Sequence, residues 1–162
     1  MNNETVFSKD LANKKLLVTR SFTAPVNKVW KAWTESNILD KWWAPRPWRA
    51  ETKAMDFSEG GSWLYAMVNP EGEKHWCRVD FKTVSPEHSF TTLNGFSDED
   101  GNFTAGAPPM NWLVEFKGSS TTTTVEVIIT FDSEADLEKI IEMGFQQGFT
   151  MGLSNLDEVL TA

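Results

Sequence analysis

The stretch from Ser133 to Leu160, SEADLEKIIEMGFQQGFTMGLSNLDEVL, decides the fold. Its spacing predicts one long amphipathic helix. Ser133 suits the N-cap, and Asp132, Glu134 and Asp136 place negative charge where the helix dipole favours it. Leu137, Ile140, Ile141, Gly144, Gly148, Met151, Gly152, Asn155, Leu156 and Val159 recur at helical spacing and form one stripe. Gly144, Gly148 and Gly152 share a face, because they are four residues apart. A glycine inside a helix costs about 1 kcal/mol relative to alanine. Three of them imply either close approach of a sheet or space left for a ligand beneath the helix.

The rest of the chain supplies that sheet. Residues 1–13 read as a loose N-terminal arm and 14–162 as one domain. Lys15 to Ala24 alternates as a first strand. Pro25 opens a helix whose buried stripe is Val26, Val29, Trp30 and Trp33. A second short helix runs from a capping Ser36 to Trp43, and Pro45 and Pro47 stop it. From Trp48 onward six strands follow at 49–57, 62–68, 73–84, 88–96, 111–117 and 121–131, joined by short turns such as Glu59-Gly60-Gly61 and Gly118-Ser119-Ser120. Short connections make an antiparallel meander the simplest topology. The terminal helix is the one element long enough to cross that sheet. The space between a curved sheet and one helix is a natural pocket.

Composition narrows the function. A net charge of -8 opposes nucleic-acid binding and attraction to anionic membranes. No apolar run reaches the roughly 20 residues of a membrane span, so no membrane insertion is expected. A single cysteine, Cys77, fits a reducing compartment, and the polar start MNNETVFSKD lacks the basic and apolar regions of a signal peptide. A cytoplasmic location is the expectation.

The residues also resemble a known family. Ala24-Pro25-Val26-Asn27-Lys28-Val29-Trp30-Lys31-Ala32-Trp33-Thr34 and then Leu39-Asp40-Lys41-Trp42-Trp43-Ala44-Pro45 are similar to the START-like, or SRPBCC, superfamily. The branch they resemble is named for the activator of the heat-shock chaperone ATPase. Gly60-Gly61-Ser62-Trp63, the turn with Pro86, and Gly144-Phe145-x-x-Gly148-Phe149 fit the same pattern. The resemblance covers roughly residues 14 to 161. It implies an α+β helix-grip fold of the START and Bet v 1 type: a curved antiparallel sheet wrapped around a long C-terminal helix, with two short helices after the first strand. The superfamily holds lipid carriers, hormone receptors, cyclases and chaperone activators, so the fold leaves function open.

The aromatic load is the stronger functional signal. Eight Trp and eleven Phe stand against one Tyr. Trp42 and Trp43 end the second helix; Trp63, Tyr65 and Met67 share a strand face; Trp112 begins another strand; and Met143, Gln147 and Met151 flank the glycine stripe. With His75, Cys77 and Asn155 these twelve are the expected lining of a pocket for a small hydrophobic or aromatic molecule. Catalysis is an alternative, of cyclase or hydrolase type, with Tyr65, His75 or Asn155 as acid, base or orienting donor. A chaperone-interacting module is another, and would expose apolar surface around Trp42, Trp43 and Trp48. A homodimer stays open.

No cofactor is expected. His75 and Cys77 are strand neighbours two apart, about 7 Å and beyond hydrogen-bond reach. They form no nucleophile–base pair on that spacing. Asp98, Asp100 and Asn102 mimic the start of a calcium loop, but Phe103 replaces the sixth-position glycine and Pro109 the closing glutamate. No metal site follows.

Overall fold

Alternating burial along the strands builds the sheet. In Lys15–Phe22 the inward residues Leu16, Val18, Arg20 and Phe22 alternate with half-exposed or exposed neighbours, and Thr123–Thr130 repeats the pattern with Val125, Val127 and Ile129. The computed structural model describes residues 4–105 and 108–161. In chain order the elements are β1 (Val6–Asp10), β2 (Lys15–Phe22), α1 (Val26–Thr34), α2 (Ser36–Trp42), β3 (Arg49–Met55), β4 (Ser62–Val68), β5 (Lys74–Ser85), β6 (Ser89–Phe96), β7 (Met110–Gly118), β8 (Thr123–Thr130), α3 (Glu134–Glu142) and α4 (Phe145–Thr161).

The eight strands form one antiparallel sheet in the order β1-β2-β8-β7-β6-β5-β4-β3. The meander β3 to β8 is as expected. β2 closes on β8, with Val18 opposite Val127. Register shifts between Thr52 and Ala54 in β3, and between Phe81 and Thr83 in β5, increase local twist and curl the sheet. The helices fill the concave side. This is the α+β helix-grip architecture.

Two expectations change. The N-terminal arm is not loose from residue 6: β1 pairs with β2 from Val6 opposite Thr19 to Asp10 opposite Lys15. Its polar composition, VFSKD, hid a strand that lies at the sheet edge.

The long terminal helix is two helices. Gly144 takes φ of +89°, in the left-handed region, and its N–H donates to the Ile141 carbonyl at 3.1 Å. That closes α3 and re-aims the chain into α4. The Ser133 cap stands as read, its hydroxyl accepting from the Asp136 N–H at 3.1 Å. The second helical cap does not: α2 begins at Ser36 itself, with Glu35 as a cap that makes no side-chain bond.

α4 is moored by a buried charge on β2. Arg20 pairs with Asp157, donates to the Thr5 hydroxyl at 2.7 Å, and lies over the Phe22 ring. Lys28 of α1 donates to the Leu160 carbonyl at the last turn of α4.

Gly144→Ala forces a side chain into the left-handed region at a position with open space around it. We expect a loss of about 1–2 kcal/mol from backbone strain alone, read as a lower denaturation midpoint at unchanged m-value.

Candidate functional site

The glycine face of α4 meets the end of α2, not the sheet. A Cβ at Gly152 would lie 3.2 Å from the Trp43 carbonyl oxygen and 3.3 Å from that of Trp42. One turn on, the Asn155 amide donates to the Ala44 carbonyl at 3.2 Å and reaches the Trp42 carbonyl at 3.5 Å. These bonds satisfy the carbonyls that α2 leaves unpaired at its C-terminus. The Trp42 indole donates back to the Ala32 carbonyl at 2.9 Å. The segment 42–45 is therefore fixed, and with it the Trp43 ring.

Trp43 is the roof of a cavity of about 270 Å³. Tyr65, Met67, Cys77, Arg78, Val79, Asn94 and Trp112 come to it from the sheet, with Phe96 and Met110 from the ends of β6 and β7; Ile140 comes from α3, Phe145, Gly148 and Phe149 from α4, and Met143 from the turn between them; Pro45 and Pro108 come from loops. Rings dominate the inner wall. Trp112 packs edge-on against Phe149 at 5.5 Å and lies 5.9 Å from Trp43. Gly148 supports the space directly: a Cβ there would meet only the Pro45 ring, at 3.8 Å.

Of the twelve residues expected in the pocket, Trp43, Tyr65, Met67, Cys77, Trp112 and Met143 line this cavity. The other six lie elsewhere, each for a physical reason. Trp42 is buried between α1 and α4. Trp63 stacks on Tyr65 at 4.1 Å and donates to the Thr52 hydroxyl, which places it behind the wall. Asn155 is occupied with the end of α2. His75 is exposed and packs on Trp48 at 5.2 Å. Gln147 and Met151 are exposed, because the break at Gly144 rotates their face outward. Trp48 is half-buried. The exposed apolar surface anticipated around Trp42, Trp43 and Trp48 does not form.

Several lining residues escaped the sequence reading. Phe145 and Phe149 are one turn apart and so share a face. Asn94 had a readable signal: Phe90, Thr92 and Asn94 are the inward residues of β6, and two polar residues on a core-facing side require a use. Pro108 and Met110 follow the acidic loop and had none.

The chemistry inside is muted. Tyr65 and Cys77 are directly opposite across β4 and β5. The Tyr65 oxygen accepts from the Trp43 indole at 2.7 Å. Burial, with Cys77 beside it, holds the Tyr65 hydroxyl well above its ordinary pKa. Burial also pushes the Cys77 thiol up to about 11, against a hydrogen bond from Tyr65 that favours the thiolate. Both groups are protonated at neutral pH. The calcium-like loop is closed on itself: the Asp98 carboxylate accepts from the Asn102 and Asp100 N–H groups at 2.9 Å each, and the Asn102 bonds hold its pKa below the usual value. Among the described residues no group of three or more His, Cys, Asp or Glu is placed to hold a metal. No described helix is long and apolar enough to cross a membrane.

A curved sheet gripping helices over an aromatic cavity defines a START-like protein. The sequence pattern of the "Activator of Hsp90 ATPase homolog 1-like protein" family matches residues 23–161, and the chain belongs to that family. Its fold is close to that of a Mycobacterium smegmatis protein at 30% identity and TM-score 0.88, covering 98% of this chain and 97% of that one. An Arthrobacter aurescens protein is similar at 28% identity and TM-score 0.90, covering 96% and 91%. A Nitrosomonas europaea protein follows at 26% identity and TM-score 0.79, covering 93% and 96%. No curated protein matches the chain.

Two glycines of one stripe should respond with opposite signs. Gly148→Ala meets no close neighbour and gains about 1 kcal/mol of helix propensity. Gly152→Ala drives a methyl into two backbone oxygens that Asn155 holds in place. Overpacking costs about 1–3 kcal/mol, enough to outweigh the propensity gain. Melting temperatures of the pair check this: the first should rise and the second fall. Cys77 in the folded protein should react with a disulfide reagent at pH 8 roughly a hundredfold or more slower than in urea, as its raised pKa requires. Absorbance of the released thiolate gives both rates.

Proposed function

We propose that the protein binds a small hydrophobic or aromatic molecule in this cavity and does not transform it. The observation that carries the reading is the cavity itself. It measures about 270 Å³ and is walled by rings from the sheet, α2 and α4, with a glycine where the helix could have filled it. A dry engineered cavity of about 150 Å³ takes benzene. This one has room for a bicyclic body.

The cyclase- or hydrolase-type alternative finds less support. Its three candidate groups do not converge: Tyr65 faces the cavity, His75 is outside against Trp48, and Asn155 is spent on the end of α2. A general base must reach the proton that it takes, and the two ionisable groups on the inner wall are both held neutral.

Gly148→Leu tests the reading. The leucine side chain enters the cavity from α4. Stability should be kept or raised, through better helix propensity and added contacts. Affinity for N-phenyl-1-naphthylamine, an uncharged fluorescent probe, should fall at least about tenfold. A sharp drop in melting temperature, together with no probe binding by the parent, would sink the ligand-binding function.

A further inference from the structure

The wall between the cavity and a smaller chamber behind it carries hydrogen-bond donors with no acceptor of their own. Trp43, Val79, Asn94 and Trp112 form a wall shared between the cavity and a second chamber of about 20 Å³. Trp33 and Thr92 complete the polar part of that chamber. That is room for about one water molecule, so it admits a single oxygen but no ring.

The donor count here is unbalanced. The indole nitrogens of Trp33 and Trp112 are buried and meet no acceptor among the described residues. The indoles of Trp42, Trp43 and Trp63, by contrast, each find one, on Ala32, Tyr65 and Thr52. The Asn94 carboxamide oxygen accepts from the Thr92 hydroxyl at 2.5 Å, which leaves the amide N–H groups as what Asn94 can offer. A buried donor left unmade costs about 1–3 kcal/mol. One indole and one amide on the shared wall, with a second indole in the chamber behind it, point to an acceptor that arrives from outside the chain.

The charge of that acceptor is also constrained. Among the described residues Arg78 is the one charged residue in the cavity wall, and its guanidinium is bound to the Asp80 carboxylate at 2.7 Å and the Gly101 carbonyl at 2.8 Å. A carboxylate brought to Trp112 and Asn94 would be desolvated without a counter-charge.

We infer that the wall at Trp112 and Asn94 is an acceptor-binding pole, and that the ligand is uncharged, with a carbonyl or hydroxyl oxygen at the leading end of an apolar body. This rests on the cavity being a ligand site. It adds what the ligand must carry.

Three probes of one shape separate the cases: naphthalene, 2-acetylnaphthalene and 2-naphthoate, titrated against the full chain by displacement of N-phenyl-1-naphthylamine. The ketone should bind about tenfold tighter than naphthalene, as one or two neutral hydrogen bonds imply. The naphthoate should bind more weakly than the ketone. In Trp112→Phe the ketone should lose its advantage over naphthalene. On the parent protein the Trp112 indole N–H resonance should move downfield with the ketone and not with naphthalene, a readout that needs no folded variant. Equal affinity of ketone and naphthalene overturns the acceptor pole and leaves the cavity function standing. Naphthoate binding as tightly as the ketone overturns the uncharged class. If none of the three binds, the ligand function fails and this inference goes with it.

Discussion

The contact between Gly152–Asn155 of α4 and the end of α2 is the constraint on which the site depends. A helix C-terminus leaves carbonyls without partners. Here Trp42 and Ala44 present theirs to Asn155, one turn beyond a glycine that lets the backbones approach. Without that approach α2 would sit farther from α4. Trp43 would then lose the position from which its indole bonds Tyr65 and its ring faces Trp112. One seam thus sets the height of the roof above the sheet. The Arg20–Asp157 pair, two residues farther along α4, holds the same helix to β2.

Indole hydrogen bonding divides the core into finished and unfinished parts. Trp42 and Trp63 have backbone or hydroxyl partners within the packed interior. Their rings are large apolar volume with the polar atom satisfied, which is what a core needs. Trp33 and Trp112 have rings just as buried and polar atoms that are not. Both line the small chamber behind Trp43, where Trp63 also stands with its own donor satisfied by Thr52.

The sequence carried the architecture in its periodicities and the site only in part. Six strands after the helices were legible because inward and outward residues alternate and glycine or proline punctuates them. β1 was not, since an edge strand of VFSKD needs little apolar content on its free side. The helix break at Gly144 was misread for a related reason. Apolar spacing continues through Met143 and Phe145, so periodicity alone cannot tell a glycine kept for close packing from one kept for a positive φ. That misreading carried forward to Gln147 and Met151, which a continuous helix would have turned inward. Arg20 was on an apolar strand face in the sequence, among Leu16, Val18 and Phe22, and a buried arginine implies a carboxylate somewhere. The sequence could not say that it was Asp157, 137 residues away.

Side-chain stiffness differs between the two ends of the cavity, and this bears on selectivity. The inner wall is made of rings and short side chains: Trp43, Tyr65, Cys77, Asn94, Trp112 and Phe149. Each ring is held edge-to-face or stacked against others, so its orientation is fixed by its neighbours. The outer wall is Met67, Phe96, Met110 and Met143, all partly exposed, and three of these four are unbranched thioethers. Methionine re-packs around irregular shapes at low cost. A molecule entering this cavity would therefore have its leading end tested against fixed rings and fixed donors, while its trailing end meets a wall that adjusts. Discrimination concentrates where a donor left unpaired is costly, and tolerance where a methyl group can swing aside.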